Sequence, residues 1–294
     1  MDPAEILSLM GMEGAVATPF VNAEDGEEYA VWKICHGDRT YVLKPAKEYE
    51  AEVYSIFLSG DCTYAPKVLA RTDQGNQTWL LMEYVPGEDL RYCTRDKLRK
   101  AMDALIDMQS AWWQRPDFDN AAFSMEKARP GRIRRGEDLG DERLKQTYQG
   151  YLTLWERLPR TLCHEDLLPF NLLINEEKAV IIDWEVAGMQ PYLSSLARLI
   201  AHGEEGKEAF FHMTEEDKSF AIDYYYHHLL QEKGIAYDDY RVALDYFLLY
   251  EYCEWIMLGI RYGNTESERY IRYRTMALEQ IQKLQPIKEE TTWK

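Results

Sequence analysis

Hydrophobic residues follow one pattern up to about residue 86 and another beyond it. In the first part they form short runs rich in β-branched and aromatic side chains, separated by turn residues, which is typical of strands. Between the third and fourth runs, Glu50, Val53, Tyr54 and Phe57 recur at helical spacing and predict one helix. The predicted strands are 15–21, 28–34, 39–44 and the runs KVLAR and TWLLMEYV that follow Pro66.

Beyond Pro86-Gly87 the apolar residues recur with a period of about 3.6, which is typical of amphipathic helices. The stretch 115–140 interrupts this pattern with glycine, proline and arginine, and it is predicted to be a loop or flap. Residues 171–183 hold two short apolar runs, NLLI and AVIID, which predict a hairpin. The predicted helices are 95–114, 141–158, 215–232, 239–262 and 265–284.

This order of elements predicts an α+β protein with two lobes. Residues 1–85 would form a small lobe with an antiparallel sheet and one helix. Residues 86–294 would form a larger helical lobe that contains the hairpin. A cleft between two such lobes is the default place for a small-molecule ligand.

The charge of the chain narrows the range of partners. Its net charge of −17 gives no basic surface for nucleic acid or an anionic membrane, so we expect neither as a partner. It would favour cations such as an aminated small molecule or a metal ion, although acidity can also serve solubility alone. Five scattered cysteines without a CxxC pair suit a reducing compartment, and without a targeting signal a cytoplasmic location is expected.

One segment combines the side chains that phosphoryl transfer requires. His164, Asp166 and Asn171 have the spacing His-x-Asp-x4-Asn, and Asp183 ends an apolar run 17 residues after Asp166. The carboxylate of Asp166 can meet an acceptor hydroxyl. The amide oxygen of Asn171 and the carboxylate of Asp183 are oxygen ligands of the kind that Mg²⁺ prefers. A hairpin would bring these groups together into a phosphate and metal site.

The residues HEDLLPFN (164–171) and IIDWE (181–185) resemble the aminoglycoside phosphotransferase and choline kinase family, which has a protein-kinase-like bilobal fold. The resemblance implies a Mg²⁺-dependent kinase that binds ATP or GTP between its lobes and phosphorylates a hydroxyl of a small acceptor. By the same resemblance, Asp166 is the catalytic base, His164 supports its loop, and Asn171 and Asp183 bind Mg²⁺.

The resemblance extends to the first lobe. It implies that Lys44, at the end of the third strand, binds phosphate and has Glu50 as its ion-pair partner. Glu50 is preferred over Glu52 because it shares the face of the apolar residues of its helix. The backbone of four consecutive residues would hold the adenine, namely Met82, Glu83, Tyr84 and Val85.

Two features differ from the family pattern. Glu165 stands between His164 and Asp166, where relatives usually carry a small or neutral residue. Its charge could raise the pKa of the neighbouring carboxyl, meet a cationic substrate, or point to solvent. The loop 22–28 has one glycine and four carboxylates, which repel phosphate where a glycine-rich loop would bind it. Nucleotide affinity is therefore left open.

The chain after the metal-binding turn is short, which favours a small acceptor over a protein. Only VAGMQPYLSS separates Glu185 from the next predicted helix. Glu251, Glu254 and Trp255 share one helical face, and carboxylates beside an aromatic ring would suit an ammonium group. We take these three residues, together with Glu185, as acceptor candidates. The alternative is a solvated acidic stripe beside a core tryptophan.

Two other functions stay open at this point. The first is a catalytically silent relative that binds nucleotide, for which the acidic loop is the best support. The second is a helical binding module in which the motif is accidental, and it predicts no nucleotide binding.

Overall fold

The structure is a computed structural model, and it describes residues 2–21, 26–47, 49–115, 125–202 and 213–287. The first part of the chain forms a five-stranded antiparallel sheet with the strand order β1-β2-β3-β5-β4. All five predicted strands are present, and so is the helix between the third and fourth. These elements are β1 Val16–Val21, β2 Glu28–His36, β3 Arg39–Pro45, α2 Glu50–Ile56, β4 Val68–Gln74 and β5 Gln77–Glu83.

A helix that the pattern did not predict, α1 (Pro3–Leu9), precedes the sheet. It is only two turns long, so periodicity gives little signal, although the side chain of Asp2 caps it by accepting a hydrogen bond from the backbone N–H of Ala4. Its buried Ile6 and Leu7 belong to a small apolar core on one face of the sheet. The opposite face meets α2 and joins the main core.

The rest of the chain is mainly helical, as predicted, with two small antiparallel pairs, β6 with β9 and β7 with β8. The last turn of the seventh helix continues as a π-helix over Tyr226–Leu230. The helices are α3 Arg95–Ala111, α4 Met125–Glu137, α5 Glu142–Arg157, α6 Leu193–Ile200, α7 Glu215–Tyr225, α8 Tyr237–Arg261 and α9 Glu268–Lys283. The strands are β6 Arg160–Cys163, β7 Leu172–Ile174, β8 Ala179–Ile181 and β9 Gly188–Pro191.

The prediction of a loop or flap over 115–140 is wrong for its second half, which is the helix α4. Its proline, glycines and arginines leave the helix without an apolar stripe, so the sequence pattern does not predict it. Tertiary packing holds it instead: a Cβ at Gly136 would lie 2.6 Å from the ring of Tyr148 in α5, so only glycine allows this approach. Arg132 is the buried polar anchor of α4.

After the five-stranded sheet, the connecting segment at Gly87 packs closely against the backbone of β7. A Cβ at Gly87 would lie 2.9 Å from the carbonyl oxygen of Ile174, so this position requires glycine. The next residue, Glu88, exchanges two backbone hydrogen bonds with Ile174. The boundary predicted between residues 85 and 86 falls in this connection, between β5 and α3, and it stays a prediction. None of the helices in the described ranges is long and apolar enough to cross a membrane.

Candidate functional site

The hairpin β7–β8 places two of the predicted residues at the same end. Leu172 pairs with Ile181, and the backbone N–H of Ile182 donates to the carbonyl of Asn171 at 2.9 Å. Asn171 begins the hairpin and Asp183 leaves it, so the ladder brings together residues that are 12 positions apart. Both strands are buried, which makes the hairpin a rigid support for these polar side chains.

Lys44 joins the sheet to this hairpin. Its Nζ lies 2.8 Å from Oε1 of Glu50 on α2 and 2.9 Å from Oδ1 of Asp183. Burial disfavours the ammonium, but the two carboxylates outweigh it and raise the pKa of Lys44. Burial likewise opposes the charge of Asp183, and Lys44 outweighs it and lowers the pKa of that carboxyl. One cation therefore contacts two carboxylates and keeps Asp183 charged, whereas burial outweighs Lys44 at Glu50 and raises the pKa of that carboxyl.

The backbone of Asp183 adopts an unusual conformation, with φ of +66°. Residues other than glycine rarely occupy this left-handed region, and where they do the surrounding contacts must hold them. Here the contacts are the hairpin before it and Lys44 in front of it. The turn aims a carboxylate toward β3 instead of continuing the strand.

His164 begins the loop 164–171, which the sequence predicts to be the catalytic loop, and it is fully buried. Its Nε2 is 2.8 Å from the carbonyl oxygen of Ile182, and its ring meets the edge of Trp184. Its backbone N–H donates to the hydroxyl of Ser195 on α6 at 2.9 Å. Burial lowers the pKa of His164, so the ring is neutral at pH 7. It ties the loop to the strand that ends at Asp183.

Asn171 and Asp183 form a donor set that fits Mg²⁺. The amide Nδ2 of Asn171 donates to the backbone carbonyl of Asp166 at 2.8 Å, which turns its amide oxygen to the other side. An amide oxygen and a carboxylate are hard ligands, and Mg²⁺ is usually bound by one or two protein groups together with substrate phosphates. No group of three His, Cys, Asp or Glu side chains suited to a metal occurs in the described part of the chain.

Asp166, the predicted base, bonds to an arginine that the sequence did not bring to attention. Arg198 on α6 donates to Oδ1 of Asp166 from Nη2 at 2.7 Å and from Nε at 3.1 Å. Its Nη1 donates to Oε2 of Glu251 on α8 at 3.0 Å. Arg198 and Ser195 both lie on α6 and contact the catalytic loop. The only feature of the sequence that could have pointed to these two residues is that α6 begins ten residues after Asp183.

The four acceptor candidates lie in two places. Glu185 is close to the sheet, where its carboxylate is 3.2 Å from the ammonium of Lys47. Glu251, Glu254 and Trp255 lie on α8. Glu251 is only 3% exposed, and burial, partly offset by Arg198, raises its pKa to about 7. The structure does not bring Glu185 together with the other three.

Glu254 and Trp255 also have partners within the chain. Glu254 lies 3.2 Å from Nε of Arg135 on α4. The indole of Trp255 stacks on Tyr273 of α9, with the guanidinium of Arg198 5.9 Å from its ring centroid. The face of α8 is therefore a set of arginine–carboxylate pairs and not a solvated acidic stripe.

Glu165 points away from solvent and toward α4. Its carboxylate accepts a hydrogen bond from Arg132, whose Nη1 also donates to the hydroxyl of Tyr151 at 2.8 Å. The guanidinium lies 4.9 Å from the ring of Tyr250. Like Asp183, Glu165 has a left-handed backbone, with φ of +62°. Glu165 is unusual for the family that the chain resembles, and its bond to Arg132 attaches α4 to the loop 164–171.

The four residues predicted to hold the adenine lie at the end of β5 and directly after it. Met82 is buried and pairs with Val42 of β3, and the backbone N–H of Glu83 donates to the carbonyl of Lys67. The ring of Tyr84 lies 5.2 Å from the ammonium of Lys33, and Val85 is buried. Their role in holding adenine stays a prediction. Residues 22–25 of the acidic loop lie outside the described ranges.

Comparison with known proteins adds to this geometry. The chain is similar to a type VIII aminoglycoside-3'-phosphotransferase, with 21% identity, a TM-score of 0.58 and coverage of 84% of this chain and 98% of the other. It is also similar to choline kinase from Cryptosporidium parvum Iowa II, with 14% identity, a TM-score of 0.64 and 96% of each chain covered. A third similar structure is the amicoumacin kinase hAmiN in complex with AMP-PNP, Ca²⁺ and Ami, with 14% identity, a TM-score of 0.64 and coverage of 99% and 96%.

These structures confirm the α+β protein-kinase-like fold. Among curated relatives, the protein LicA of Haemophilus influenzae is 38% identical, but over only 47 residues, which is 16% of this chain and 18% of LicA. The match thus spans less than a fifth of that relative's length.

The model of the phosphotransferase enzyme family (APH) matches residues 19–228, which is well over half of the chain. That range holds the cluster at Lys44, the catalytic hairpin and α6. The protein therefore belongs to the phosphotransferase enzyme family.

Proposed function

We propose that the protein transfers the γ-phosphate of ATP to a hydroxyl of a small, cationic acceptor in a Mg²⁺-dependent reaction. The observation that carries this proposal is the contact of Lys44 with both Glu50 and Asp183. A buried ammonium held against the carboxylate that ends a hairpin, with an amide side chain at the hairpin's start, suits a nucleotide's phosphates and their metal ion.

Each residue would have a defined part in the reaction. Lys44 would bind phosphate oxygens, with Glu50 keeping the ammonium in position. Asp183 and Asn171 would hold Mg²⁺, which when bound would neutralise negative charge on the phosphates. Asp166 would accept a hydrogen bond from the acceptor hydroxyl through Oδ2, the oxygen that Arg198 does not use, and receive its proton.

Two observations support a small cationic acceptor. The proteins of similar structure are named as an aminoglycoside phosphotransferase, a choline kinase and an amicoumacin kinase. One of these structures contains AMP-PNP, which supports the use of a nucleotide here. The net charge of −17 would attract a cation. The carboxylates of Glu251 and Glu254 already pair with arginines, so an acceptor cation would have to compete for them or meet the partly exposed Asp166.

The melting temperature in the presence of MgATP tests the nucleotide site. Ligand at 100 times its dissociation constant adds roughly 2.7 kcal/mol of stability, which is a clear shift in melting. We expect this shift for the wild type and a much smaller one for Asp183→Ala. No shift in either protein, at any MgATP or MgGTP concentration up to millimolar, would contradict the proposal.

A panel of acceptors tests the reaction. Choline, ethanolamine, an aminoglycoside and a neutral sugar are each added to protein with MgATP, and ADP release is measured. We expect one of the amines to accelerate release, and Asp166→Asn to abolish the acceleration while leaving the MgATP melting shift in place. A melting shift with no acceleration by any hydroxyl compound would favour a silent nucleotide-binding relative. Acceleration that survives in Asp166→Asn would remove Asp166 as the base.

A further inference from the structure

Arg198 occupies a position between the predicted base and the acceptor-side helix. Its side chain is 17% exposed, and three of its nitrogens donate hydrogen bonds, two to Asp166 and one to Glu251. A guanidinium is planar with fixed donor directions, so bonds from both of its edges define its orientation. The face of Trp255 closes one side of it at 5.9 Å.

The two bonds to Asp166 end on the same oxygen, Oδ1. This arrangement anchors Oδ1 and leaves Oδ2 to the acceptor. Among the described residues only Arg198 bonds to this carboxylate, whose side chain is 37% exposed, so without Arg198 its own rotatable bonds would leave it free to turn. A misplacement of about 1 Å at a reacting group can cost roughly 100-fold in rate.

The bond to Glu251 connects this arrangement to α8. Glu251 is buried, with its side chain 4% exposed, so its position is set by the packing of α8 against α6. A guanidinium bonded to one partly exposed carboxylate alone could rotate away. Glu251 supplies the second attachment and directs Arg198 at Asp166.

We propose that Arg198 is a positioning residue that holds the carboxylate of Asp166 for the acceptor hydroxyl and is itself aimed by Glu251. This inference rests on the proposed function, because it assigns Asp166 to the acceptor. Arg198 acts through Asp166 and does not contact the nucleotide site at Lys44. Its loss therefore lowers kcat and leaves nucleotide binding unchanged.

The test compares Arg198→Met and Arg198→Lys with a matched control, Arg99→Met. Arg99 on α3 also bonds two carboxylates, Asp96 and Asp103, but it is 46% exposed and far from Asp166 in the chain. ADP release from MgATP is measured with each panel compound and with buffer alone, in which water is the acceptor. MgATP binding is followed by the melting shift.

We expect Arg198→Met to lower kcat about 100-fold with less than a threefold change in KM for acceptor and in MgATP affinity. Arg198→Lys should recover part of this loss, and Arg99→Met should match the wild type. If Arg198→Met keeps a kcat within twofold of the wild type, or changes KM alone, the inference is wrong while the kinase function stands. A wild type that neither binds nor consumes MgATP would instead overturn the proposed function, and the inference with it.

Glu251→Gln and the double variant test the second half of the inference. We expect Glu251→Gln to lower kcat about tenfold and to have no further effect when Arg198 is already methionine, since coupled residues give non-additive changes. Equal effects of Glu251→Gln in both backgrounds would show that Glu251 does not act through Arg198. Glutamine keeps the size of the side chain, so this variant also serves where Arg198→Met folds poorly.

Discussion

The two sides of the candidate site handle charge in different ways. On the sheet side, one ammonium, Lys44, lies between two carboxylates, so the cluster keeps a negative charge that a metal ion can meet. On the side of α8, three arginines each pair with carboxylates of the catalytic loop or the helix. Those pairs are Arg132 with Glu165, Arg135 with Glu254, and Arg198 with both Asp166 and Glu251.

The difference indicates which carboxylates can still bind a cation that a ligand brings. On both sides the carboxylates outnumber the cations by one, but at Lys44 two carboxylates share a single ammonium, so this cluster is suited to a ligand that brings its own cation, such as a magnesium nucleotide. The acceptor side is largely neutralised from within the chain, and its arginines fix the positions of the acidic groups. Changes on the first side should therefore remove binding and turnover, whereas changes on the second should mostly disturb position and stability.

The largest effect is expected for Asp183→Asn. It removes the charge that completes the metal site and should lower MgATP-dependent turnover by at least about 100-fold. The apo protein should keep its fold, because Lys44 retains Glu50 as a partner. ADP release and the MgATP melting shift measure the two parts of this expectation. Asp38→Asn, in the exposed turn between β2 and β3, is the matched control and should behave as the wild type.

The sequence predicted the sheet side well, for a physical reason. Lys44, Glu50 and Asp183 each lie on or directly after an element with a clear local pattern. The motif at 164–171 shows where the hairpin begins. The succession of strands along the chain and the helix α2 follow from the same short-range patterns. Local patterns place these residues on their elements, the resemblance to the family implied the pairing of Lys44 with Glu50, and the contact of Lys44 with Asp183, 139 positions away, was not predicted.

The acceptor side could not be predicted in this way. Arg132 and Glu165 are separated by 33 positions, and Arg198 and Glu251 by 53. Arg132 also lies on α4, whose proline and arginines gave no helical period. Only tertiary packing brings these residues together, and an arginine in a polar helix gives no sign in the sequence that it will be buried.

Lys44→Met should lower the free energy of unfolding, and this loss measures how strongly the sheet side depends on its one ammonium. It leaves the fully buried Glu50 without its cation, and breaking a buried pair in this way costs about 3–5 kcal/mol. Adding Glu50→Gln should recover part of that loss, since no charge then remains unpaired. Urea unfolding of the single and double variants measures both values. A double variant no more stable than Lys44→Met would mean that the pair does not account for the loss.

The pH dependence of stability tests the acceptor side at Glu251. Burial raises its pKa from 4.5 to about 7 in the folded state, so between these values the folded protein holds a proton that the unfolded chain has released. Stability should fall as pH rises through this window, by up to about 3 kcal/mol at 1.36 kcal/mol per pKa unit. In Glu251→Gln this contribution should be absent, and the difference between the two urea unfolding curves isolates it. A difference that does not change between pH 4.5 and 7.5 would show that Glu251 titrates normally.

Arg132→Met should have a smaller effect, and it compares two arginines of one helix. It leaves Glu165 unpaired beside the catalytic loop, and because that side chain is still 16% exposed we expect a loss of about 2 kcal/mol. Arg129 on the same helix forms a pair with Glu156 at 2.7 Å, but both side chains are about half exposed. Arg129→Met should therefore cost less than about 1 kcal/mol.

Urea unfolding of the two α4 variants gives this comparison directly, and ADP release shows whether α4 supports the catalytic loop. We expect Arg132→Met to lower kcat as well as stability, because Glu165 directly precedes Asp166 and its left-handed backbone is held partly by Arg132. Glu165→Gln keeps a hydrogen-bonding partner for Arg132 and should lose less of both. Equal losses of stability in Arg132→Met and Arg129→Met would mean that burial adds nothing to the pair, and the contrast between the two sides of the site would then rest on Arg135 and Arg198.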